Sequence, residues 1–366
     1  MQSYIKKIVW ACLLVVPFIA LHVANGGPFD VVSWFTGSSL FFPFISGKNL
    51  IFRILVEIAL AGWAILALSD PHYRINIRKS PIILAYMAFI AVLFFANLFG
   101  VDTERSMWSN FERMEGFVGH IHLFAYFFVL TVMVRTLAEW QRMWKFFIAG
   151  NILVLIYGFF QFLGAKGLIV SKVLPGLSAW FGERFPIHQS VNRVDATIGN
   201  SAYFGVFCLM YVFIAAMMWS QSAHPKKSWG YPALIVVNLL GVFYSGTRGS
   251  IIGLILGGLV TLGILALVEK GKMRKLFIKT LAVVAIAVAA VFIFKETSLI
   301  KSSPTLYRFA SISLNDITTA SRFSIWKISY QAWKERPILG YGQDNFSYIF
   351  ARKFIPTEMC NLEPWY

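Results

Sequence analysis

Long uncharged apolar stretches alternate with shorter polar segments along almost the whole chain. Several stretches run for about 18 residues or more, which is the length at which an α-helix crosses the hydrocarbon core of a bilayer. The pattern therefore predicts an all-α polytopic membrane protein with nine spanning helices. The predicted spans cover residues 8–24, 50–68, 81–98, 117–134, 146–164, 200–219, 231–246, 249–268 and 277–294.

The composition agrees with this class. Hydrophobic residues make up 58% of the 366 and charged residues only 14%, and the mean hydropathy is +0.66, well above that of a soluble domain. We divide the chain into a transmembrane helical bundle over residues 1–294 and an extracytoplasmic loop segment over 295–366. A cleaved signal peptide is the alternative for the first apolar stretch. That stretch is long and no small-residue cleavage site precedes Gly26, so a membrane helix is preferred.

Basic residues are divided unequally between the two sides of the predicted topology. Fifteen of the 33 Lys and Arg residues lie in one set of short connections with only three acidic residues, whereas the other eighteen share longer segments with fourteen acids. Because short cytoplasmic loops are rich in Lys and Arg, the N-terminus is predicted in the cytoplasm. The long polar segments then face outward: 25–49, 99–116, 165–199 and 295–366.

The net charge of +16 does not indicate a protein that binds nucleic acid. Such a protein gathers its basic residues into a continuous patch, whereas the clusters here flank the predicted spans. The basic excess is therefore an orientation signal, and we look for chemistry on the outward side.

Arg248 lies between two apolar runs, in "VFYSGTRGSIIGLILGG" (242–258), and no carboxylate lies within ten positions of it. Lys227 and Glu269 are each 21 residues away, about 30 Å along a helix, so Arg248 reaches the outer boundary of the bilayer core. The three residues before it, "SGT", can end one helix and begin the next. A helix N-terminus and a guanidinium both bind phosphate-like anions. An arginine that extends to lipid headgroups is the alternative.

Two further patterns concern helix packing and the membrane surface. A stripe of three glycines at four-residue spacing is expected to let another helix approach closely; it consists of Gly249, Gly253 and Gly257. Near the C-terminus, four aromatic residues recur on one face of a helix that Pro337 ends; they are Phe323, Trp326, Tyr330 and Trp333. Such an amphipathic helix either anchors to the membrane, or caps a cavity and points Arg322 inward.

Four segments occur in order on the predicted outward side: "NFERMEGFVGHIHLFAYFF" (110–128), "NRVDATIGNSAYFGVF" (192–207), "SGTRGS" (245–250) and "SRFSIWKISYQAWKERPILGYGQDNF" (321–346). Together they resemble the O-antigen ligase and polymerase superfamily of bacterial membrane proteins. The resemblance covers roughly residues 105–366, and the first three spans match only as membrane helices. One departure is "GNSAY" (199–203), where many members carry Asn-Pro-Asn, and it puts the role of Asn200 in doubt.

The resemblance implies a GT-C-like helical bundle in the inner (cytoplasmic) membrane, in contact with membrane lipids. Such a protein transfers a glycan from an undecaprenyl-diphosphate carrier to an acceptor at the outer face. The acceptor is lipid A core, another glycan or a protein, and no metal or other cofactor is implied. An O-antigen polymerase or a protein O-oligosaccharyltransferase is the alternative within this chemistry.

The alternative outside the enzymes is a small-anion transporter. An ion-coupled transporter usually keeps acidic residues within its spans. Glu57 is the only carboxylate well inside a predicted span, and Arg53 stands one turn earlier as its expected partner. This small polar inventory favours the enzyme.

The resemblance also assigns roles to individual residues. Arg248, Arg193 and Arg322 are expected at the reaction centre, the first two on the diphosphate. The residues expected to bind substrate are Arg113, Asn200, Tyr203, Ser245, Thr247 and Gly249, and no metal ligands are expected. From the residues alone, a surface ion pair remains open for Arg193 with Asp195, and a local one for Arg113 with Glu112 or Glu115.

Glycan transfer also needs a base for the acceptor hydroxyl. The outward histidines are His120, His122 and His188, and none lies in a segment that matches the family's histidine motif. In relatives that motif follows soon after the segment that ends here in "EPWY". Because the number of predicted spans is also odd, we expect a C-terminally truncated chain that inserts into membranes and binds the donor weakly but transfers nothing.

The topology is tested by reporter fusions along the chain. Fusions after Lys79, Lys145, Lys227 and Lys275 should read cytoplasmic, and those after Asn110, Ser190 and Asn315 should read outside. A reporter at Lys275 that reads outside would place Arg248 on the cytoplasmic side and exclude the chemistry expected of it.

Overall fold

The computed structural model describes residues 1–23, 44–45, 47–110, 113–165, 193–222, 224, 228–312 and 317–353. Regular structure in these residues is entirely helical. The α-helices are α1 Gln2–Val15, α2 Lys48–Ser69, α3 Pro81–Leu98, α4 Thr103–Trp108, α5 Phe117–Met133, α6 Leu137–Ala165, α7 Ser201–Ser220, α8 Gly230–Tyr244, α9 Arg248–Val268, α10 Gly271–Ile293, α11 Ser298–Lys301, α12 Pro304–Ala310, α13 Ile317–Glu335 and α14 Phe346–Lys353.

Each of the nine predicted spans corresponds to a helix. Within the described ranges, seven helices are long and apolar enough to cross a membrane: α1 together with the 3₁₀ segment Val16–Leu21 that continues it, α2, α3, α6, α7, α9 and α10. The fourth and seventh predicted spans are the shorter apolar helices α5 and α8, of 17 and 15 residues. The all-α polytopic class is confirmed.

The chain forms two packed units. One contains Met1–Phe147 and Ser313–Tyr366, and the other contains Ile148–Ile312. These units divide the chain differently from the predicted boundary after residue 294, which separates membrane from loop rather than one packed unit from another.

The core of the first unit lies among α1, α2 and α5. Val9, Leu66 and Val129 are completely or almost completely buried there. At Gly62 of α2, a Cβ atom would lie 2.6 Å from Val9 Cγ2, so α1 approaches the backbone of α2 directly. Trp63 of α2 also packs edge-on against Phe128, with ring centroids 4.8 Å apart.

A polar seam in the first unit joins the turn after α13 to the end of α3. The backbone N–H of Gln343 donates to Asn97 Oδ1 at 2.8 Å, and Asn97 Nδ2 donates to Gln343 Oε1 at 2.7 Å. Ser106 Oγ donates to the carbonyl of Gln343 and accepts from Asn345 Nδ2, at 3.1 and 2.9 Å. Asn97, Ser106 and Asn345 are buried, so each polar group of the seam is satisfied where water is absent.

The second unit is built around α7 and α8. At Gly241 of α8, a Cβ atom would lie 2.6 Å from Cys208 Sγ of α7, which shows how closely the two helices pack. Asn151 of α6 and Asn238 of α8 are fully buried and donate to each other at 3.0 Å in both directions. This reciprocal pair fixes α6 against α8 at one register.

The predicted glycine stripe on α9 does not receive a helix in this way. Among the described residues, nothing lies within 4 Å of a Cβ atom at Gly249 or Gly257, and Gly253 meets only Leu209 Cδ2 at 3.7 Å. Close approaches between the described helices occur instead at single glycines such as Gly62, Gly205 and Gly241. The four-residue spacing of the glycines showed where a close helix contact is sterically possible. Whether the contact forms depends on whether a second helix lies against that face.

The seam yields a matched pair of glycine variants. Gly342 has φ +85°, and a Cβ there would lie 2.5 Å from Ser106 Oγ and 3.1 Å from Gly100 Cα. Gly340 has φ +64° with nothing within 4 Å of its Cβ position. Gly340→Ala should cost only the left-handed penalty, roughly 1–2 kcal/mol, whereas Gly342→Ala should cost clearly more. Thermal unfolding in detergent measures both, and equal losses would show that the seam is not tightly packed.

Candidate functional site

The first candidate site is the break between α8 and α9 in the second unit. Helix α8 ends at Tyr244 and α9 begins at Arg248, with Gly246 at φ +59° between them. The hydroxyl of buried Ser245 donates to the carbonyl of Val242 at 2.7 Å. "SGT" therefore ends one helix and starts the next, and Arg248 stands at the first position of α9, where the helix dipole is positive.

Arg193 is bound to this break. Its Nε donates to the carbonyl of Ser245 at 2.9 Å, and its Nη2 donates to Thr247 Oγ1 at 2.9 Å. The backbone N–H of Val194 adds a bond to the carbonyl of Tyr244 at 3.1 Å. The Arg193 side chain also passes over Gly246, where a Cβ would lie 3.4 Å from its Cγ. These bonds use two of the five N–H donors of the guanidinium and fix its plane.

Asp195 does not form the surface ion pair considered for Arg193. It is only 9% exposed, and its carboxylate accepts from Gln161 Nε2 at 2.5 Å. Gln161 Oε1 in turn accepts from the backbone N–H groups of Asp195 and Ala196, at 3.1 and 2.9 Å. Ala196 has φ +50°, and this buried amide contact holds that unfavourable conformation.

A third arginine near this site was missed by sequence reasoning. Arg308 lies on α12, which packs against α9 and α10 and is anchored by Phe309 on Phe292, with ring centroids 5.3 Å apart. Burial and then the positive charge of Arg308 lower the pKa of Arg193 from its usual value, and Asp195 acts in the opposite direction. In the sequence Arg308 is one of many outward basic residues, and only the fold brings it near Arg193.

The other predicted residues of this unit have different surroundings. Asn200 caps α7 by accepting from the backbone N–H of Ala202 at 2.8 Å, which is a structural role. Tyr203 is 61% exposed on the first turn of α7. Thr247 Oγ1, besides accepting from Arg193, donates to the carbonyl of Ser201 at 3.1 Å, so the N-termini of α7 and α9 are tied together. Gly249 lies on the open side of α9.

The remaining predicted residues belong to the first unit. Arg322 is exposed beside Phe323 on α13, whereas the buried face of that helix carries Ile328 and Ala332. Within its own unit Arg322 therefore lies on the exposed aromatic face of α13, which fits the membrane-anchoring alternative, and its place at the reaction centre stays a prediction. Arg113 is exposed, and its carbonyl accepts from Asn49 Nδ2. Its possible partner Glu112 and the candidate base His188 lie outside the described residues.

A second candidate site is a cavity of about 460 Å³ in the first unit. Its lining combines polar side chains from the ends of several helices with apolar ones: Asn49, Phe52, Arg53, Met114, Glu115, Gly119, His120, Leu123, Gln343 and Asp344. Arg53 Nη2 donates to the carbonyl of Met114 at 2.5 Å. Its Nε is buried without a hydrogen-bond partner among the described residues.

The polar seam brings the side chain of Gln343 next to His120, which lines this cavity. The backbone N–H of Gln343 must bond to the oxygen of the Asn97 amide, so the nitrogen of Asn97 must bond to the oxygen of the Gln343 amide. Gln343 Nε2 is then left to donate to His120 Nδ1, 3.3 Å away. The same Nδ1 also lies 3.3 Å from the carbonyl oxygen of Gly116, which can only accept, so His120 Nδ1 meets one donor and one acceptor at equal distance.

His122 contacts Glu57, which the sequence had paired with Arg53. Its Nε2 lies 3.0 Å from Glu57 Oε1, and its Nδ1 lies 2.7 Å from the carbonyl of Val118. The expected Arg53–Glu57 pair is not the contact that forms, because the Arg53 side chain reaches across to Met114. Within the described part of the chain, no three His, Cys, Asp or Glu side chains cluster to hold a metal ion.

The comparisons with known proteins agree with part of this picture. No curated protein and no solved structure matches the chain significantly. Residues 233–359 match the family model described as O-antigen ligase. That stretch includes the α8–α9 break and the polar turn after α13, while the motifs at 110–128 and 192–207 lie outside it. Members of the family are membrane glycosyltransferases and ligases, which supports an O-antigen ligase- or polymerase-like function in general.

The match confirms the resemblance to O-antigen ligases over residues 233–359, in a chain that is a multi-pass membrane protein.

Proposed function

We propose that this protein transfers a glycan from an undecaprenyl-diphosphate carrier to an acceptor at the outer face of the cytoplasmic membrane. In this proposal the N-terminus is cytoplasmic and the α8–α9 break lies at the outer boundary of the bilayer core. The observation that carries the proposal is the attachment of Arg193 to the break from which Arg248 begins α9.

The depth of the break supports its assignment to a lipid-linked diphosphate. Helix α9 runs for 21 residues from Arg248 to Val268, which is about 30 Å and one hydrocarbon thickness. The next helix begins at Gly271, so Arg248 and the α9–α10 turn lie at opposite ends of a span. A diphosphate attached to a polyprenyl chain in the bilayer lies at the same boundary as such an arginine.

The reaction breaks the bond between the anomeric carbon and the diphosphate oxygen. The acceptor hydroxyl oxygen forms the new bond to that carbon, its proton passes to a base, and the electron pair of the broken bond goes to the diphosphate. Arg193 and Arg248 would stabilise this developing charge, because guanidinium groups pair with phosphate oxygens. The backbone N–H groups at the start of α9 would add fixed donors.

The rigidity of Arg193 favours this role. One edge of its guanidinium is held by Ser245 and Thr247, so little side-chain freedom remains to be lost when an anion binds its other edge. Lysine cannot replace it, since an ammonium group cannot bond the break and a phosphate with one planar fork.

Arg248→Lys and Arg193→Ala should each reduce the rate of glycan transfer by about 10²–10³, the usual cost of removing one preorganised charge-stabilising donor. Arg274→Lys is the matched control, because Arg274 is exposed near the start of α10, and it should transfer at the wild-type rate. Transfer from a polyprenyl-diphosphate donor in membranes measures all three in the full-length protein, normalised to the amount of inserted protein. Wild-type rates in both site variants would exclude the diphosphate assignment.

Arg308→Gln should reduce transfer much less, by about fivefold. Its side chain is exposed, and exposed charges contribute about 1 kcal/mol or less. The reduction should shrink as salt is raised from 50 to roughly 500 mM, because screening weakens a solvent-exposed charge. A loss as large as that of Arg193→Ala would instead mean that Arg308 contacts the diphosphate directly.

A further inference from the structure

We propose that the cavity in the first unit binds a neutral sugar ring. It is lined by donors, acceptors and an apolar ring surface in the mixture that a polyhydroxylated ring requires. The inference rests on the proposed function for its biological meaning, but the binding itself is independent of the arginines in the second unit.

The size and the framing of the cavity suit a small ligand. Its volume of about 460 Å³ lies within the usual range of small-molecule sites, roughly 300–1,000 Å³. Its polar walls are held in place by the seam, since Gln343 is bonded to Asn97 through both its backbone and its side chain. Gly119 also lines the cavity, and a Cβ there would lie 3.0 Å from the carbonyl of Met114.

The polar groups of the lining include both donors and acceptors, and a sugar hydroxyl needs both. Arg53 brings a buried Nε donor that no described residue satisfies, and the imidazole ring of His120 also lines the cavity. Glu115 and Asp344 supply carboxylate acceptors. Phe52 offers an apolar face to the C–H side of a ring.

The charge of the lining favours a neutral ligand over an ion. Two carboxylates, Glu115 and Asp344, stand against the single guanidinium of Arg53. A phosphate would meet the two carboxylates without enough positive charge, and a cation would meet Arg53. A sugar hydroxyl can donate to a carboxylate and accept from a guanidinium at the same time, so it satisfies both.

The position of the cavity agrees with the proposed reaction. It lies where α2 and α5 begin and α3 ends, the end of these helices that the proposed topology places outside. Sugars reach that face on the lipid-linked donor and on the acceptor. The ligand chemistry is the same for both, and kinetics can tell them apart.

Binding is tested on the protein in nanodiscs, with methyl α-glucoside and N-acetylglucosamine as neutral probes and glucose 6-phosphate as the anionic probe. Wild type should bind the neutral sugars more tightly than the phosphate. Glu115→Gln and Asp344→Asn should each weaken neutral-sugar binding about tenfold, the effect of losing one charged hydrogen bond, and should reduce the discrimination against the phosphate. Asn tolerates the φ of +60° at position 344, so that variant keeps the turn.

Glu104→Gln is the control, because Glu104 is an exposed carboxylate on α4 that does not line the cavity. It should bind sugars as wild type does. Equal binding of neutral and phosphorylated sugars by wild type, or unchanged sugar binding in both cavity variants, would overturn the proposal.

Arg248→Lys separates this proposal from the proposed function. It should lose transfer and keep sugar binding, so a failure of the diphosphate assignment leaves the binding result to stand by itself. In transfer assays the cavity variants should raise one KM: that of the acceptor if the ring belongs to the acceptor, and that of the donor if it belongs to the lipid-linked glycan. If neither KM changes, the cavity has no part in the reaction, and the binding measurements alone decide whether it is a sugar site.

Discussion

Polar backbone groups that lie near hydrocarbon must find partners inside the protein, because water is not there to satisfy them. Within a helix these groups bond to one another, so only the N–H and C=O groups at its ends need other partners. In this chain the α8–α9 break is satisfied by Arg193, which donates to the carbonyl of Ser245 and to Thr247. In the turn after α13, the backbone N–H of Gln343 is satisfied by the side chain of Asn97 near the end of α3. Arg193 and Gln343, which take part in these bonds, also belong to the two candidate sites.

The helices themselves could be predicted from the hydrophobic pattern, since burial in a bilayer needs only length and the absence of charge. The start of α9 could also be predicted, because Ser, Gly and Thr stand together before Arg248. Both are local properties. The length of α9 could also be predicted from the sequence, since the 21 residues from Arg248 to Glu269 correspond to about one bilayer thickness.

The partners of the polar residues could not be predicted in the same way. Arg193 bonds a carbonyl 52 positions away, and Asn97 bonds a side chain 246 positions away. Asn97 looks in the sequence like a single polar residue in an apolar helix, with nothing to show that Gln343 meets it. Local spacing was misleading for Glu57, where the i, i+4 relation suggested Arg53 but His122 on α5 makes the contact. For Arg308, nothing in the sequence marked it among the other outward basic residues.

The cost and the use of Arg193 have the same origin. A guanidinium that is partly buried and close to Arg308 is in an unfavourable environment for a cation, which is why its pKa is lowered. The bonds to Ser245 and Thr247 offset part of that cost and also fix the guanidinium in one orientation. An approaching anion would relieve the remaining cost without requiring the side chain to reorganise, and its attraction is stronger where water is excluded. Partial burial of the positive charge therefore makes Arg193 costly when no anion is bound. The same burial would make it effective when a diphosphate is bound.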